Sequence, residues 1–122
     1  MILVDSNVVI YAAKEHYAFL RTLLVDARTY VSAITKLEAL GFQKLAAADK
    51  TYLEGLFKTV TILDIDEAVL DKAILLRQAK KMSVGDAIIA ATALLNGFEL
   101  HTRNTADFKH IPDLVVVDPF DE

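Results

Sequence analysis

The sequence predicts an α/β fold in which a mostly parallel sheet of four or five strands is flanked by helices. Two observations predict it. Short apolar or β-branched runs recur along the chain, and each is followed by a segment with apolar residues at helical spacing. Such alternation is typical of parallel sheets. The 122 residues, 54% of them hydrophobic, suffice for one domain with a buried core, so we treat residues 1–122 as a single domain.

The strands are predicted from short apolar runs bounded by polar or turn-forming residues. They are residues 2–4, 28–33, 59–65, 98–102 and 114–118. The third is rich in β-branched residues, which favour strands. In parallel sheets, binding sites form beyond the carboxyl ends of the strands. The residues that directly follow these runs are therefore the first candidates for a functional site.

The helices are predicted from apolar periodicity and end signals. They are residues 6–13, 16–27, 35–47, 49–57, 66–80 and 84–96. Ser6 or Asn7 can cap the first of them, and Gly97 is a typical stop for the last. The helix at 84–96 is almost wholly apolar, so we expect it to be buried on most sides.

Four acidic residues occupy unusual positions in this scheme. Asp5 ends the first strand, and Asp86 is the one charged residue in "SVGDAIIAATALLNGF". The helical period places Glu38 on the same face as the apolar Leu37, toward the core. Asp107 follows the fourth strand in the polar loop "TRNTADF". Strand order permitting, these positions can meet in one cleft.

Each acid also has a local explanation that the sequence leaves open. Asp5 can cap the helix that follows it. Ser83 and Asp86 have the spacing of a capping box. Glu38 can pair with a nearby base at the rim of its helix face, and Asp107 can be an ordinary surface acid.

Taken together, the four acids predict a divalent cation. Clustered carboxylates repel one another, and their pKa values rise unless a cation neutralises them. Oxygen ligands favour Mg²⁺ or Mn²⁺, and the three histidines show no ligand spacing. The chain has 17 acids and 13 bases; without the four acids, 13 remain against 13. A net charge of −4 argues against a nucleic-acid binder that acts by its own basicity alone.

Four sequence blocks carry a family resemblance. "ILVDSNVVIY", "SAITKLEAL", "SVGDAIIAATAL" and "LHTRNTADF" closely resemble the PIN domain, in particular the VapC-type toxins of bacterial and archaeal toxin–antitoxin pairs. The blocks run from residue 2 to residue 108. The resemblance implies a three-layer PIN-like fold with the first strand central and an acidic pocket at its carboxyl edge.

The resemblance also implies a function. It implies a Mg²⁺- or Mn²⁺-dependent ribonuclease, usually a homodimer, silenced by a cognate antitoxin that often inserts an arginine into the acidic pocket. The implied catalytic residues and metal ligands are Asp5, Glu38, Asp86 and Asp107. Asn7, Thr102 and Asn104 match polar positions that line the family's pocket, although some relatives have aspartate where Asn104 stands.

An RNA substrate needs positive contacts outside an acidic pocket. Basic residues close to the four blocks could meet phosphates: Arg103, Lys80, Lys81, Lys36 and Lys109. For Lys80 and Lys81, a solvated helix end is the plainer interpretation. Tyr11 and Phe108 flank the blocks and could stack on bases, but core packing is the preferred interpretation.

The sequence leaves two alternative functions open. One is an RNA-processing PIN nuclease without a toxin role, and the other is a non-catalytic α/β binding module. A receiver-like domain needs a lysine at a later strand end, where this chain has "HTR". A haloacid-dehalogenase-type phosphatase needs Asp-x-Asp after the first strand, where this chain has Asp5, Ser6 and Asn7.

Location is predicted from what the sequence lacks. No apolar run approaches the ~20 residues of a membrane span, and the start "MILVD" has no basic region typical of a signal peptide. The chain has no cysteine, which fits a reducing cytoplasm. We therefore expect a cytoplasmic protein without membrane contact.

Overall fold

A five-stranded, all-parallel sheet lies at the centre of the structure, a computed structural model that describes residues 1–120. The strand order is β3-β2-β1-β4-β5. The strands are β1 (Ile2–Val4), β2 (Thr29–Ser32), β3 (Thr61–Leu63), β4 (Glu99–His101) and β5 (Val116–Val117). The α/β class and the parallel sheet predicted from the sequence are confirmed, and so is the central first strand that the family resemblance implies.

Helices cover both faces of this sheet. They are α1 (Ser6–Ala12), α2 (Arg21–Val25), α3 (Ala33–Leu40), α4 (Ala47–Phe57), α5 (Glu67–Ala79) and α6 (Val84–Asn96). Side chains alternate across β1, so Ile2 and Val4 join the core formed with α1, α2 and α4. Leu3 points the other way and packs against Ile89 of α6. The result is the three-layer arrangement that the family resemblance implies.

The helix predicted at 16–27 is wrong. The structure has a 3₁₀ helix at Glu15–Leu20 and then the short α2. Tyr17 breaks the helical path with φ −109° and ψ 22°. Its ring packs edge-on against Tyr11 and Phe120 at centroid distances of 4.8 and 5.7 Å. These tertiary contacts determine the local conformation and override the continuous helix that the apolar periodicity favours.

The helix predicted at 35–47 is also different in the structure. It begins at Ala33 and ends at Leu40, where the Gly41 N–H donates to the Leu37 carbonyl at 2.8 Å. Its buried face contains Thr35 and Ala39, whereas Leu37 is 66% exposed. The core face assigned from the periodicity was therefore wrong.

The order of the strands creates a switch point beside β1. The chain steps from β1 to β2 on one side, and β4 pairs with the other side of β1. Ligands of open parallel sheets bind at such a point, beyond the carboxyl ends of the strands. Asp5 follows β1 and Thr102 follows β4, so both residues lie at this edge.

Within residues 1–120, no helix is long and apolar enough to cross a membrane.

Candidate active site

Asp5 is the buried centre of the polar edge. It precedes α1, and its Oδ1 accepts a hydrogen bond from the Ser6 backbone N–H at 2.7 Å. Its Oδ2 accepts one from the Thr102 hydroxyl, also at 2.7 Å. The side chain is 5% exposed. Asp5 therefore does cap its helix, as the local explanation held, and it also reaches the neighbouring strand end.

Thr102 connects Asp5 to the loop after β4. It is fully buried, and its hydroxyl oxygen accepts hydrogen bonds from the Asn104 backbone N–H at 3.0 Å and the Asn7 side-chain amide at 3.4 Å. The Arg103 N–H donates to the Asn7 side-chain oxygen at 3.5 Å. The polar residues predicted to line the pocket thus form one hydrogen-bonded network around Asp5.

Glu38 reaches the site from α3. The Ser6 hydroxyl donates to its Oε1 at 2.7 Å, and the same hydroxyl lies 2.9 Å from that of Thr35. A Cβ atom placed on Gly85 would lie 2.9 Å from Glu38 Oε2. The Glu38 side chain is solvent-exposed rather than buried, but its carboxylate lies between α1 and the first turn of α6.

Asp86 lies in that first turn of α6. The Ser83 hydroxyl accepts a hydrogen bond from the Asp86 backbone N–H at 3.1 Å, which confirms the predicted cap. The Ser83 side chain also interacts with the Asp86 carboxylate and lowers its pKa, against the effect of burial. Asp86 lines a cleft of about 580 Å³ together with Asp107, which ends a 3₁₀ helix at Thr105–Asp107.

The electrostatics link all four acids. The pKa of Asp5 is raised to about 6, chiefly by burial and also by the neighbouring charges of Asp86 and Glu38, against the lowering effect of the Thr102 and Ser6 hydrogen bonds. Partial burial also raises the pKa of Asp86, and Asp107 and Glu38 add to that shift. Asp86 is therefore close enough to each of the other three acids for their charges to interact.

The match to known proteins identifies the family. A PIN domain model matches residues 2–114. The chain belongs to the PIN domain family.

Solved structures agree with this assignment. The chain is similar to one in a toxin–antitoxin complex from Klebsiella pneumoniae, with 31% identity, a TM-score of 0.80 and full coverage of both chains. It is similar to one in FitAcB from Neisseria gonorrhoeae, with 28% identity, a TM-score of 0.80 and full coverage of both. It is also similar to one in DNA-bound VapBC from Salmonella typhimurium, with 25% identity, a TM-score of 0.78 and coverage of 96% of each chain. The predicted resemblance to PIN domains of the VapC type is confirmed, and no curated protein sequence matches the chain.

Family and structural neighbours together indicate a nuclease. PIN nucleases generally use divalent metal ions. Within residues 1–120, no three His, Cys, Asp or Glu side chains converge closely enough to form a metal cage. The donor chemistry nevertheless fits, because Asp5 and Asp86 offer hard oxygen ligands. Mg²⁺ commonly takes only one or two carboxylates and keeps several waters. The raised pKa values of both acids also mean that their ionised forms are destabilised, and a bound cation would stabilise those forms.

The other residues predicted for the site take varied positions. The Arg103 guanidinium lies over the rings of Tyr11 and Phe120, at 4.9 and 4.6 Å from their centroids, rather than over the acids. Phe108 is fully buried, so core packing is the correct interpretation for it. Lys80 and Lys81 line the same cleft as Asp86.

Sequence reasoning missed three contributors to this PIN domain's site. Ser6 holds Glu38, and its position beside Asp5 in the first block is the signal that could have shown it. Gly85 lets α6 approach Glu38, in a helix where glycine is otherwise unfavourable. Arg77 lines the cleft from the last turn of α5; its position just before the block that begins at Ser83 is the signal that could have shown it.

Proposed function

We propose that this PIN domain is a Mg²⁺- or Mn²⁺-dependent ribonuclease and the toxin of a toxin–antitoxin pair. One observation carries the catalytic part of the proposal. Asp86 lies near enough to Asp5, Glu38 and Asp107 for their charges to interact, and burial together with this repulsion raises the pKa values of Asp5 and Asp86. Acids held in this way are suited to bind a hard cation at a phosphodiester.

The four acids have different roles in this proposal. Asp5 and Asp86 are the direct metal ligands, and Glu38 and Asp107 act directly or through water. Thr102 fixes the orientation of Asp5, and Ser6 fixes that of Glu38. When bound, the divalent ion neutralises charge on the scissile phosphate and lowers the pKa of a bound water.

The overall reaction is hydrolysis. Water adds its OH group to phosphorus, the bond from phosphorus to the 3′ oxygen breaks, and that oxygen takes up the remaining proton. The products are a 3′-hydroxyl and a 5′-phosphate. No histidine or lysine is required as a base, since the acidic site supplies the groups that hold the water.

RNA cleavage assays test this function. Purified protein is incubated with single-stranded and structured RNA in Mn²⁺ and in EDTA, and the ends of the products are mapped. Wild type should cleave only with metal, whereas Asp5→Asn and Asp86→Asn should be inactive. Asp71→Asn, which alters an exposed acid of α5, serves as the matched control and should remain active. Cleavage that survives both EDTA and the Asp5 substitution would contradict the proposal.

The antitoxin part rests on the structural relatives, one of which is named as a toxin–antitoxin complex. In this chain Ile10 of α1 and Phe42, which follows α3, are exposed and line one groove, and Leu37 is exposed next to Glu38 in the sequence of α3. An amphipathic antitoxin segment would cover these side chains and place an arginine at the acids. That cation would compete with the metal for the carboxylates.

Inhibition by the cognate antitoxin tests this surface. Leu37→Asp or Phe42→Asp should abolish complex formation and leave RNA cleavage intact. Val25→Asp, which changes an exposed apolar residue of α2, is the matched control and should still be inhibited. Replacing the antitoxin arginine should remove salt-sensitive inhibition, and an unaltered complex with Phe42→Asp would contradict the proposed surface.

The homodimer predicted from the sequence is proposed at a second apolar surface. Leu70 and Ile74 of α5 and Val84 of α6 are exposed and line a largely apolar groove of about 500 Å³ between the two helices. A second copy of the chain would cover them. Ile74→Asp should convert the dimer to a monomer in light scattering, whereas a dimer that persists would place the interface elsewhere.

We propose the cytoplasm as the place of action, because the chain contains no cysteine and its proposed substrate is RNA. An RNA-processing role without toxicity would be favoured if expression in cells proves harmless and no antitoxin gene neighbours this one.

A further inference from the structure

The cleft beside Asp86 is lined by both acidic and basic side chains. The acids are Asp86 and Asp107. Arg77, Lys80 and Lys81 supply positive charge, and we call these three residues the basic edge. They come from the last turn of α5 and from the connection to α6, so a single turn of chain presents three positive charges to the candidate active site.

The basic edge is fixed at both ends by hydrogen bonds. The Arg77 Nε donates to the Met82 carbonyl at 3.1 Å, which ties the last turn of α5 to the segment beyond the two lysines. Ser83 then caps α6 through the Asp86 N–H. Lys80 and Lys81 lie between these two anchors. Their backbone is therefore held in place before any ligand binds, which lowers the ordering cost of binding.

The charges of the basic edge have no acidic partner of their own. The ion pairs within residues 1–120 are Lys14–Asp49, Arg28–Asp26 and His101–Glu99. None of the basic-edge residues forms one, although two carboxylates line the same cleft. Adjacent like charges repel one another, and an anion placed between them would relieve that repulsion. In a chain of net charge −4, this local concentration of positive charge indicates an anionic ligand.

We propose that Arg77, Lys80 and Lys81 bind the phosphates of the RNA strand next to the scissile bond, so that the substrate backbone lies along the basic edge. This inference rests on the proposed ribonuclease function and names the residues that position its substrate. The acids and their metal take the scissile phosphate, and the basic edge takes its neighbours. Phosphate contacts of this kind fix register and do not read sequence.

Salt-dependent RNA binding tests the basic edge. A fluorescent single-stranded RNA is titrated with the Asp5→Asn protein, which does not cleave, over a range of salt concentrations. The slope of log affinity against log salt is negative, and each phosphate contact that is lost should make it shallower by about 0.7. Adding Lys80→Ala and Lys81→Ala together should therefore make the slope shallower by about 1.4 and weaken binding roughly tenfold near physiological salt.

Two controls separate charge from structure. Lys80→Arg with Lys81→Arg keeps both charges and should retain the full slope. Lys50→Ala with Lys58→Ala removes two exposed lysines at α4, outside the cleft, and should change neither slope nor affinity. The lysine substitutions all lie on the surface, so thermal unfolding should match that of the Asp5→Asn protein that carries them, which excludes misfolding as the cause.

The outcomes distinguish this inference from the proposed function. Suppose that wild type cleaves RNA and that the Lys80/Lys81 double variant cleaves it with the same KM and binds it with the same salt slope. The inference that the basic edge binds RNA is then overturned, and the proposed ribonuclease function stands. If the double variant loses antitoxin binding while RNA binding is unchanged, the basic edge serves a protein partner and this inference is wrong. If wild type cleaves no RNA in Mn²⁺, the proposed function itself fails.

Discussion

The Thr102 hydroxyl donates to Asp5 Oδ2 at 2.7 Å and so joins the ends of two adjacent parallel strands across 97 positions of sequence. Both side chains are buried, and the same hydroxyl oxygen accepts the Asn104 N–H. The hydrogen bond lowers the pKa of Asp5, against the effect of burial. Thr102 thus favours the ionised form of the buried Asp5 carboxylate, which is the form that can bind a cation.

Replacing Thr102 by valine tests that role. Thr102→Val should destabilise the fold by about 1–3 kcal/mol, because Asp5 and the Asn104 N–H lose a buried partner. It should also weaken Mn²⁺ affinity and move the activity profile to higher pH, since the pKa of Asp5 rises. Thr92→Val removes another buried hydroxyl, which bonds only to the Ile88 carbonyl within α6, and should leave Mn²⁺ affinity unchanged. Equal Mn²⁺ affinity in the two variants would refute the role given to Thr102.

The raised pKa of Asp5 predicts how stability depends on pH. The folded state holds this proton up to about pH 6, whereas an ordinary aspartate releases it near 3.8. The stabilisation from Asp5 is therefore fully present below 3.8 and is lost as the pH rises through about 6. Without metal, the free energy of unfolding of wild type should fall relative to Asp5→Asn by about 1–1.5 kcal/mol between about pH 5 and about pH 8.

Denaturant unfolding in EDTA measures this difference. Saturating Mg²⁺ should restore the stability of wild type at the higher pH and leave Asp5→Asn unchanged, because a ligand that binds only the folded state stabilises it. Parallel pH curves for the two proteins in EDTA would show that Asp5 titrates like an ordinary aspartate.

Gly85 is predicted to matter for activity more than for stability. A methyl group there would lie 2.9 Å from Glu38 Oε2, and that carboxylate belongs to a flexible side chain that can move away. Gly85→Ala should therefore reduce RNA cleavage. The free energy of unfolding should stay equal or rise by up to about 1 kcal/mol, because alanine favours helix.

Gly55→Ala in α4 is the matched control for Gly85→Ala. A Cβ atom there meets nothing within 4 Å, so this change should stabilise the protein similarly and leave cleavage intact. Full activity of Gly85→Ala would show that the position of Glu38 is not critical.

The sheet and much of the site could be predicted because their signals are local. Short apolar runs such as 2–4 are buried on both faces of a parallel sheet, and the polar residues at their ends share one edge. Asp5 and Thr102 follow such runs directly. Their meeting needs only the strand order, which the family resemblance supplied.

The remaining features depend on tertiary contacts that the sequence does not display. Tyr17 leaves the helical path because its ring packs against Phe120, more than 100 positions away. Leu37 is apolar yet exposed, so the helical period assigned Glu38 to the wrong face of α3. An apolar residue can serve a surface that a partner covers, and periodicity within one chain cannot distinguish this from a core.

The most direct test of the account is calorimetric titration of the metal-free protein with Mn²⁺. The account predicts that wild type binds Mn²⁺, that Asp5→Asn and Asp86→Asn each lose most of that affinity, and that Asp71→Asn binds as wild type does. Unchanged Mn²⁺ binding in both Asp5→Asn and Asp86→Asn would contradict the claim that these acids hold the catalytic ion together.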